Sequence, residues 1–234
     1  MLIRYNFTMK ITDKKLIIFD FDGTLIDSGP DLALSVNHML KSLNYDTFSQ
    51  EIIHGWIGNG ALTLVKRALL GKVDISEAID SELFEKALKL LLDFYAKNVC
   101  VETTVYPNVE KTLKVLKDNG YVMAIVTNKP FAFIEPILVT LKLDSYFSYY
   151  LGGDSLDKKK PNPEPLLHVC KKLSLHVEQS VMIGDSKNDI IAAQNANMQS
   201  IGVSYGYNYG EDIGNYNPDV VVDDIYEIVS ILKR

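Results

Sequence analysis

The sequence predicts an α/β protein in which a doubly wound parallel sheet forms the core and an all-helical segment is inserted near the start of the chain. Short apolar and β-branched runs have the length and composition of buried strands. Segments with helical periodicity separate most of these runs, and strands that alternate with helices form a parallel sheet covered on both faces. Residues 30–98 show only helical patterns. Together these observations predict a Rossmann-like core with a helical insertion.

The strands are predicted from continuous apolar runs such as "LIIF" at residues 16–19, a pattern typical of a strand buried on both faces. Turn-forming residues follow most of the runs and end them. The predicted strands are Leu16–Asp20, Val122–Thr127, Phe147–Leu151, Val181–Asp185, Gln199–Ser204 and Val220–Val222.

The core helices are predicted from apolar residues at helical spacing. Pro107–Lys117 is an example, with a proline in the first turn, an apolar face and an Asn-Gly pair directly after it. The other predicted helices of the core are Pro130–Leu141, Pro163–Leu173, Asn188–Ala196 and Asp224–Leu232.

The helical insertion is too long for a simple crossover between two strands, so we expect a separate cap over the carboxyl ends of the strands, where open α/β sheets bind their ligands. The predicted division is a core of residues 1–28 and 100–234 and a cap of residues 29–99. Its expected buried stripes are Leu32, Val36, Met39, Leu40 and Leu43, then Leu62, Val65 and Leu69, then the Leu-rich segment Leu83–Tyr95.

Composition excludes several classes of protein. The net charge of −6 and pI near 5.3 argue against a nucleic-acid-binding surface, and no apolar run approaches the ~20 residues of a membrane span. The first dozen residues lack the apolar core of a signal peptide and are expected to be an extension, with Met9 as an alternative start. Cys100 and Cys170 have no metal-type spacing. We expect free thiols in a reducing cytoplasm, and a monomer or homodimer.

Polar residues follow four of the predicted strands and should meet at one edge of a parallel sheet. Asp20 and Asp22 end the first strand and should lie side by side, because residues i and i+2 share a face. The others are Thr127 and Asn128 after the second strand, Lys160 after the third, and Asp185 and Asp189 after the fourth.

Such a cluster of carboxylates predicts a bound cation. Two like charges ~4 Å apart repel by roughly 4 kcal/mol at an effective dielectric constant near 20. Ligands that are all oxygen favour Mg²⁺ over zinc. Lys160 and Thr127 then remain as donors for an anion, and acids, Mg²⁺ and anion-binding donors together indicate phosphoryl transfer.

Each motif by itself has an ordinary structural explanation. The "DFD" stretch could begin a turn, "TNK" could be a loop, and "GDSKND" could cap a helix, while Lys158 and Lys159 are expected to be solvated charges. The order of the motifs at successive strand ends is what favours a functional site.

The motifs "DFDGTLIDS", "TN", "KP" and "GDSxND", in this order, resemble the four motifs of the haloacid dehalogenase-like (HAD) hydrolase superfamily. The helical insertion resembles the C1-type cap of that superfamily. The stretches "DSGPDLA", "IGNGALTLVKRAL", "KPNPEPLL" and "GDSKNDIIAAQNA" are similar to its phosphoglycolate phosphatases.

The resemblance implies a role for each matching residue. Asp20 would be the nucleophile that becomes an aspartyl phosphate, Asp22 the general acid and base, and Lys160 the cation that neutralises charge on the nucleophile and the phosphoryl oxygens. The implied Mg²⁺ site comprises Asp20, the backbone carbonyl of Asp22, Asp185 and Asp189. The implied substrate-binding residues are Gly23, Thr24, Thr127 and Asn128 at the phosphate, with Gly58 and Asn59 of the cap loop at the rest of the substrate.

The implied function is that of a Mg²⁺-dependent phosphatase acting on a small phosphorylated metabolite, with 2-phosphoglycolate as the expected substrate. Alternatives are a related phosphatase for pyrophosphate, a nucleotide or a sugar phosphate, a β-phosphoglucomutase-like phosphotransferase, and a non-catalytic binding protein. The absence of a basic residue in Gly58–Ala61 counts against the phosphotransferase. The Tyr-rich stretch 204–219 is expected to be an ordered surface loop.

Overall fold

The computed structural model describes residues 11–234 and contains a six-stranded parallel sheet in the order β5-β4-β1-β6-β7-β8. All six predicted strands are confirmed, with ends shifted by no more than two residues. The strands of this sheet are β1 (Leu16–Phe19), β4 (Val122–Val126), β5 (Tyr149–Leu151), β6 (Ser180–Gly184), β7 (Gln199–Val203) and β8 (Val220–Val222).

Strand β1 lies in the middle of the sheet and sets the register of the site. Phe19, its last residue, lies opposite Ile125 of β4 and Ile183 of β6. The residues that follow these three strands therefore leave the sheet at the same edge, as predicted for parallel neighbours.

Helices cover both faces of the sheet, because alternate residues of each strand point to opposite faces. Ile17 and Phe19 pack in one hydrophobic cluster with α5, α6 and α9. Leu16 and Ile18 pack in another with α7 and α8. This is the doubly wound α/β fold that the sequence predicts. The helices of the core are α5 (Val109–Asp118), α6 (Ile134–Thr140), α7 (Glu164–Lys172), α8 (Lys187–Asn195) and α9 (Ile228–Ile231).

Four helices between β1 and β4 share a third hydrophobic cluster, and we call them the cap. They are α1 (Gly29–Ser42), α2 (Gln50–His54), α3 (Ala61–Leu70) and α4 (Ser81–Lys97). One expected stripe of the cap is partly wrong. Leu62 lies in the first turn of α3 and is 51% exposed, whereas Leu64, Val65 and Ala68 form the face that is buried in the cap cluster.

The expectations for the termini and the cysteines can be checked only in part. Ile11 is buried and pairs with Leu232, while the predicted extension with Met9 lies outside the described residues. Cys100 and Cys170 are free thiols. No helix within residues 11–234 is both long and apolar enough to cross a membrane. The predicted boundaries of core and cap stay a proposal.

Two short strands that the sequence did not predict lie where the chain enters and leaves the cap. Strands β2 (Ile26–Asp27) and β3 (Thr104–Val105) pair in an antiparallel ladder. Two residues are too few to show the alternation by which strands are recognised.

A buried carboxylate fastens the returning chain beside this ladder. Asp31, in the first turn of α1, accepts hydrogen bonds from the N–H groups of Val101 (3.0 Å), Glu102 (2.9 Å) and Thr103 (3.0 Å). It also accepts one from Thr103 Oγ1 at 2.6 Å. One side chain thus satisfies three successive backbone donors where the chain returns from the cap.

We expect Asp31→Asn to lower the free energy of unfolding by about 2–3 kcal/mol, because an amide cannot accept all four bonds and leaves donors unpaired. Urea denaturation followed by circular dichroism measures the loss. The matched control is Asp46→Asn, at an exposed site in the same cap, which should stay within about 0.5 kcal/mol of wild type. A loss of that small size for Asp31→Asn would show that the bonds contribute little.

Candidate active site

Three buried carboxylates meet at the carboxyl edge of the sheet. Asp20 follows β1, Asp185 follows β6, and Asp189 lies in the first turn of α8. One oxygen from each lies within 4.8 Å of the others. Three of the four acidic residues that the sequence predicts for the site are thus brought together.

Lys160 is the cation of this cluster. Its Nζ lies 2.9 Å from Asp20 Oδ1 and 2.6 Å from Asp189 Oδ1, and its side chain is buried. Burial alone would lower the pKa of this ammonium, but Asp189 and Asp20 outweigh it and raise the pKa above its usual value. Lys160 therefore stays charged.

One ammonium does not balance three carboxylates, and the pKa values reflect this. Burial, then the charge of Asp189, raises the pKa of Asp20 to about 7 despite the opposing effect of Lys160. Burial, then Asp20 and Asp189, raises the pKa of Asp185 well above its ordinary value. Without a further positive charge, the cluster is stable only if at least one of its carboxylates stays protonated.

The hydrogen bonds show which oxygens are available to a metal. Asp189 accepts from Lys160 on Oδ1 and from Ser186 N (3.0 Å) and Ser186 Oγ (2.8 Å) on Oδ2, so both of its oxygens already have donors. Within residues 11–234, the contacts of Asp20 with Phe21 N (2.7 Å) and Lys160 (2.9 Å) both end on Oδ1, which leaves Oδ2 open.

Asp185 completes a set of donors that fits a hard divalent cation. Each of its oxygens accepts one bond, from Thr24 Oγ1 at 2.8 Å and from Tyr207 N at 2.8 Å, and each keeps a lone pair. An all-oxygen, negatively charged set of this kind suits Mg²⁺. Asp20 and Asp185 would hold the ion, while the bonds of Asp189 are those of a residue that positions Lys160.

The carboxylate of Asp22 lies outside the acid cluster, in contrast to the expected side-by-side pair. It accepts from Ser28 Oγ at 2.6 Å and lies 3.0 Å from Lys129 Nζ. Since β1 ends at Phe19, before either aspartate, the alternation of a strand does not apply to this pair. The chain then turns at Gly23, whose φ is +89°. A Cβ at Gly23 would lie 2.4 Å from Asp185 Oδ2, so glycine is required there.

The predicted phosphate-binding residues fall into two groups. Thr127 and Asn128 line the cavity beside the acids, and Asn128 Oδ1 is buried without a donor among the described residues. A group that donates to this oxygen would remove a cost of about 1–3 kcal/mol. In contrast, the N–H of Gly23 donates to Ile26 O (2.8 Å) and that of Thr24 to Phe21 O (3.4 Å). These two residues shape the loop and do not offer free donors.

The cap loop Gly58–Gly60 closes directly onto the core. Gly58 O accepts from the Nδ2 atoms of Asn128 (3.1 Å) and Asn188 (3.2 Å). Asn59 accepts from Tyr209 Oη at 2.7 Å and, on its carbonyl, from Lys159 Nζ at 2.7 Å. Lys159 is therefore not the solvated charge that the sequence predicted. Of the two predicted cap residues, Gly58 lines the cavity beside the acids, and Asn59 bonds to Tyr209 and Lys159 of the core.

Sequence reasoning missed several residues that shape the site. Lys129 reads as part of a polar loop, and Tyr95 reads as one more apolar residue of α4. Tyr207 and Asn208 are buried, so the prediction of a surface loop for the Tyr-rich stretch is wrong there. The signal available in the sequence was a pair of glycines, at positions 206 and 210. Both have positive φ in the structure, where the loop folds back on itself.

Comparison with known proteins identifies the family of this fold and site. The model of the haloacid dehalogenase-like hydrolases matches residues 17–203, which include all three carboxylates and Lys160. The chain belongs to this family. It is a phosphoric monoester hydrolase similar to the phosphoglycolate phosphatases, so the resemblance seen in the sequence motifs is confirmed.

The similarity extends over nearly the whole chain. A phosphoglycolate phosphatase of Colwellia psychrerythraea is 50% identical over 226 residues, which cover 97% of this chain and 100% of that protein. One from Haemophilus influenzae is 44% identical over 222 residues, with coverage of 94% and 99%. The crystal structure of a predicted phosphoglycolate phosphatase from Haemophilus somnus matches with a TM-score of 0.88 at 41% identity, covering 94% of this chain and 98% of that one.

Without a metal, the folded protein should lose stability as the pH rises through about 7. Because folding raises the pKa of Asp20 from 3.8 to about 7, the folded state keeps a proton between these values that the unfolded chain has released. Above this range both states are ionised, and that stabilisation is lost. Mg²⁺ needs ionised ligands, so it should raise the melting temperature more at about pH 8 than at about pH 5.5.

Thermal unfolding with and without Mg²⁺ at the two pH values measures both effects. Asp20→Asn should weaken the pH dependence and the Mg²⁺ effect, whereas Asp157→Asn, at an exposed site, should leave both unchanged. An equal Mg²⁺ effect at both pH values would contradict this assignment of the carboxylates.

Proposed function

We propose that this enzyme is a Mg²⁺-dependent phosphatase that hydrolyses 2-phosphoglycolate to glycolate and phosphate through an aspartyl phosphate on Asp20. The observation that carries the proposal is the buried cluster in which Asp20 contacts Lys160 through Oδ1 and keeps Oδ2 open. Relatives named phosphoglycolate phosphatase over almost the full chain support the substrate.

In the first step, Asp20 Oδ2 attacks phosphorus, and the bond from phosphorus to the ester oxygen breaks. Lys160 neutralises charge on Asp20 and on the phosphoryl oxygens. Asp22, which takes up a proton when the substrate binds, donates it to the leaving oxygen, so glycolate departs with a neutral hydroxyl group. When bound, Mg²⁺ would add positive charge at the carboxylates of Asp20 and Asp185 and at the phosphoryl group.

In the second step, a water molecule attacks phosphorus, and the bond between phosphorus and Asp20 breaks. Asp22 accepts the proton of that water and returns to its starting state. A positioned acid and base of this kind contributes about 10²–10⁴ in rate. Ser28 and Lys129 hold the Asp22 carboxylate in place.

The space between core and cap favours a small substrate. Asp20, Asp22 and Thr127 bound the cavity on the core side. The centre of a water-sized sphere can occupy about 40 Å³ of this cavity. At about 10–15 Å³ for each water-sized occupant, this is room for roughly three or four such groups, which favours a small substrate over a large one. With the cap closed, nucleotides and sugar phosphates are poor candidates, and pyrophosphate is the small competitor that needs testing.

We further propose a cytoplasmic enzyme that acts as a monomer or homodimer, without nucleic-acid or membrane partners. The free cysteines and the acidic net charge support this.

Asp20→Asn should lower kcat by about 10⁴-fold or more, because an amide cannot form the phosphoryl intermediate. Phosphate release measures the loss, and circular dichroism checks that the fold is retained. Asp157→Asn serves as the matched control and should keep wild-type activity. Activity near wild type in Asp20→Asn would remove Asp20 as the nucleophile.

Among 2-phosphoglycolate, pyrophosphate, sugar phosphates and an aryl phosphate, the first should have the highest kcat/KM with Mg²⁺, and EDTA should abolish its turnover. Phosphate release across this panel makes the test. A higher kcat/KM for another ester would contradict the substrate, and full activity in EDTA would contradict the metal.

A further inference from the structure

A second buried ammonium, besides Lys160, borders the cavity between core and cap. Lys129 follows Asn128 after β4, and its side chain is 2% exposed. Burial alone would lower the pKa of Lys129, but Asp22 and Tyr95 together outweigh burial and raise it, so the group stays an ammonium. Buried charges are costly unless they are paired, so the partners of this group are informative.

Two of the three N–H donors of Lys129 have partners. Nζ lies 3.0 Å from Asp22 Oδ1 and 3.3 Å from Asp22 Oδ2, a geometry in which one N–H is shared between the two oxygens. A second N–H donates to Tyr95 Oη at 2.7 Å. No other acceptor among residues 11–234 contacts Nζ, so the third N–H is free to bind a ligand.

Tyr95, at the end of cap helix α4, holds a second unused donor. Its Oη accepts from Lys129, and its own proton has no acceptor within the described part of the chain. Burial raises the pKa of Tyr95 to about 12, so the hydroxyl keeps that proton at neutral pH. Lys129 Nζ and Tyr95 Oη, the atoms that carry these two free hydrogens, therefore lie only 2.7 Å apart.

Apart from Tyr95, the side chains on the cap side of the cavity are apolar. Leu32, Ile57, Leu64 and Leu91 line it. The nearest cap guanidinium, that of Arg67, donates to Trp56 O at 2.6 Å and Val73 O at 3.1 Å. Among the described residues that line the cavity, Lys129 is the one cationic group, and the Tyr95 hydroxyl lies beside it.

We propose that Lys129 and Tyr95 form the subsite that binds the carboxylate of the substrate, one oxygen on each donor. This inference rests on the proposed function, because a phosphorylated acid brings a second anionic group and a simple alkyl phosphate does not. Tyr95 belongs to the cap and Lys129 to the core, so this subsite is complete only with the cap closed. Lys129 and Tyr95 are then residues that determine specificity.

The test compares 2-phosphoglycolate with ethyl phosphate, which has similar size and no carboxylate. Tyr95→Phe removes one hydroxyl and keeps the ring, so kcat/KM for 2-phosphoglycolate should fall about tenfold, while that for ethyl phosphate should change less than about twofold. Lys129→Met should lower the turnover of both substrates, because Lys129 also holds Asp22, and should widen the difference between them further. The matched control is Tyr45→Phe in the same cap, at a side chain that is 41% exposed.

Binding of the same two compounds to Asp20→Asn, measured by calorimetry, gives the comparison without turnover. Selective weakening of 2-phosphoglycolate binding by Tyr95→Phe in this background supports the subsite. Equal weakening of both compounds, or no weakening, overturns it. Failure of the proposed function is a separate result, in which the wild-type enzyme with Mg²⁺ hydrolyses neither compound while the binding comparison still decides the role of Tyr95.

Discussion

The structure depends on one electrostatic constraint, which is that three buried carboxylates share a single lysine at the edge of the sheet. Asp20, Asp185 and Asp189 carry more negative charge than Lys160 can balance, and burial makes the imbalance costly. The hydrogen bonds around the three carboxylates give them different roles. Asp189 is occupied in holding Lys160, whereas Asp20 and Asp185 keep oxygens that can bind a cation or attack phosphorus. The carboxylate of the second acid, Asp22, lies outside the cluster and contacts a lysine of its own, Lys129.

The cap covers the three carboxylates and Lys160 with apolar side chains, which lower the local dielectric constant. Its loop Gly58–Gly60 contacts Asn128 and Asn188 of the core, and its helices present leucine side chains to the cavity. Exclusion of water strengthens each electrostatic interaction in the site that the cap covers. The cap also adds the Tyr95 hydroxyl next to Lys129, so closure both dries the site and places a polar group in it.

The sequence predicts the parts of this arrangement that follow from local pattern. Buried parallel strands appear in the sequence as apolar runs, and the polar residues that follow them lie at the same edge of the sheet. This pattern alone was enough to place four residues together: Asp20, Thr127, Lys160 and Asp185. Contacts between distant segments leave no such pattern. The Lys129–Tyr95 bond joins residues 34 positions apart, Asp31 binds residues about seventy positions away, and Tyr207 reaches Asp185 from a loop that reads as surface.

The measurement that tests the central claim most directly is a crystal structure grown with Mg²⁺ and beryllofluoride, a mimic of the phosphoryl group. We expect a metal ion held by Asp20 and Asp185, beryllofluoride attached to Asp20 Oδ2, and Asp189 still bonded to Lys160 and Ser186. Beryllofluoride on another residue, or a metal ion ligated by Asp189 with Lys160 displaced, would contradict the division of roles among the three carboxylates.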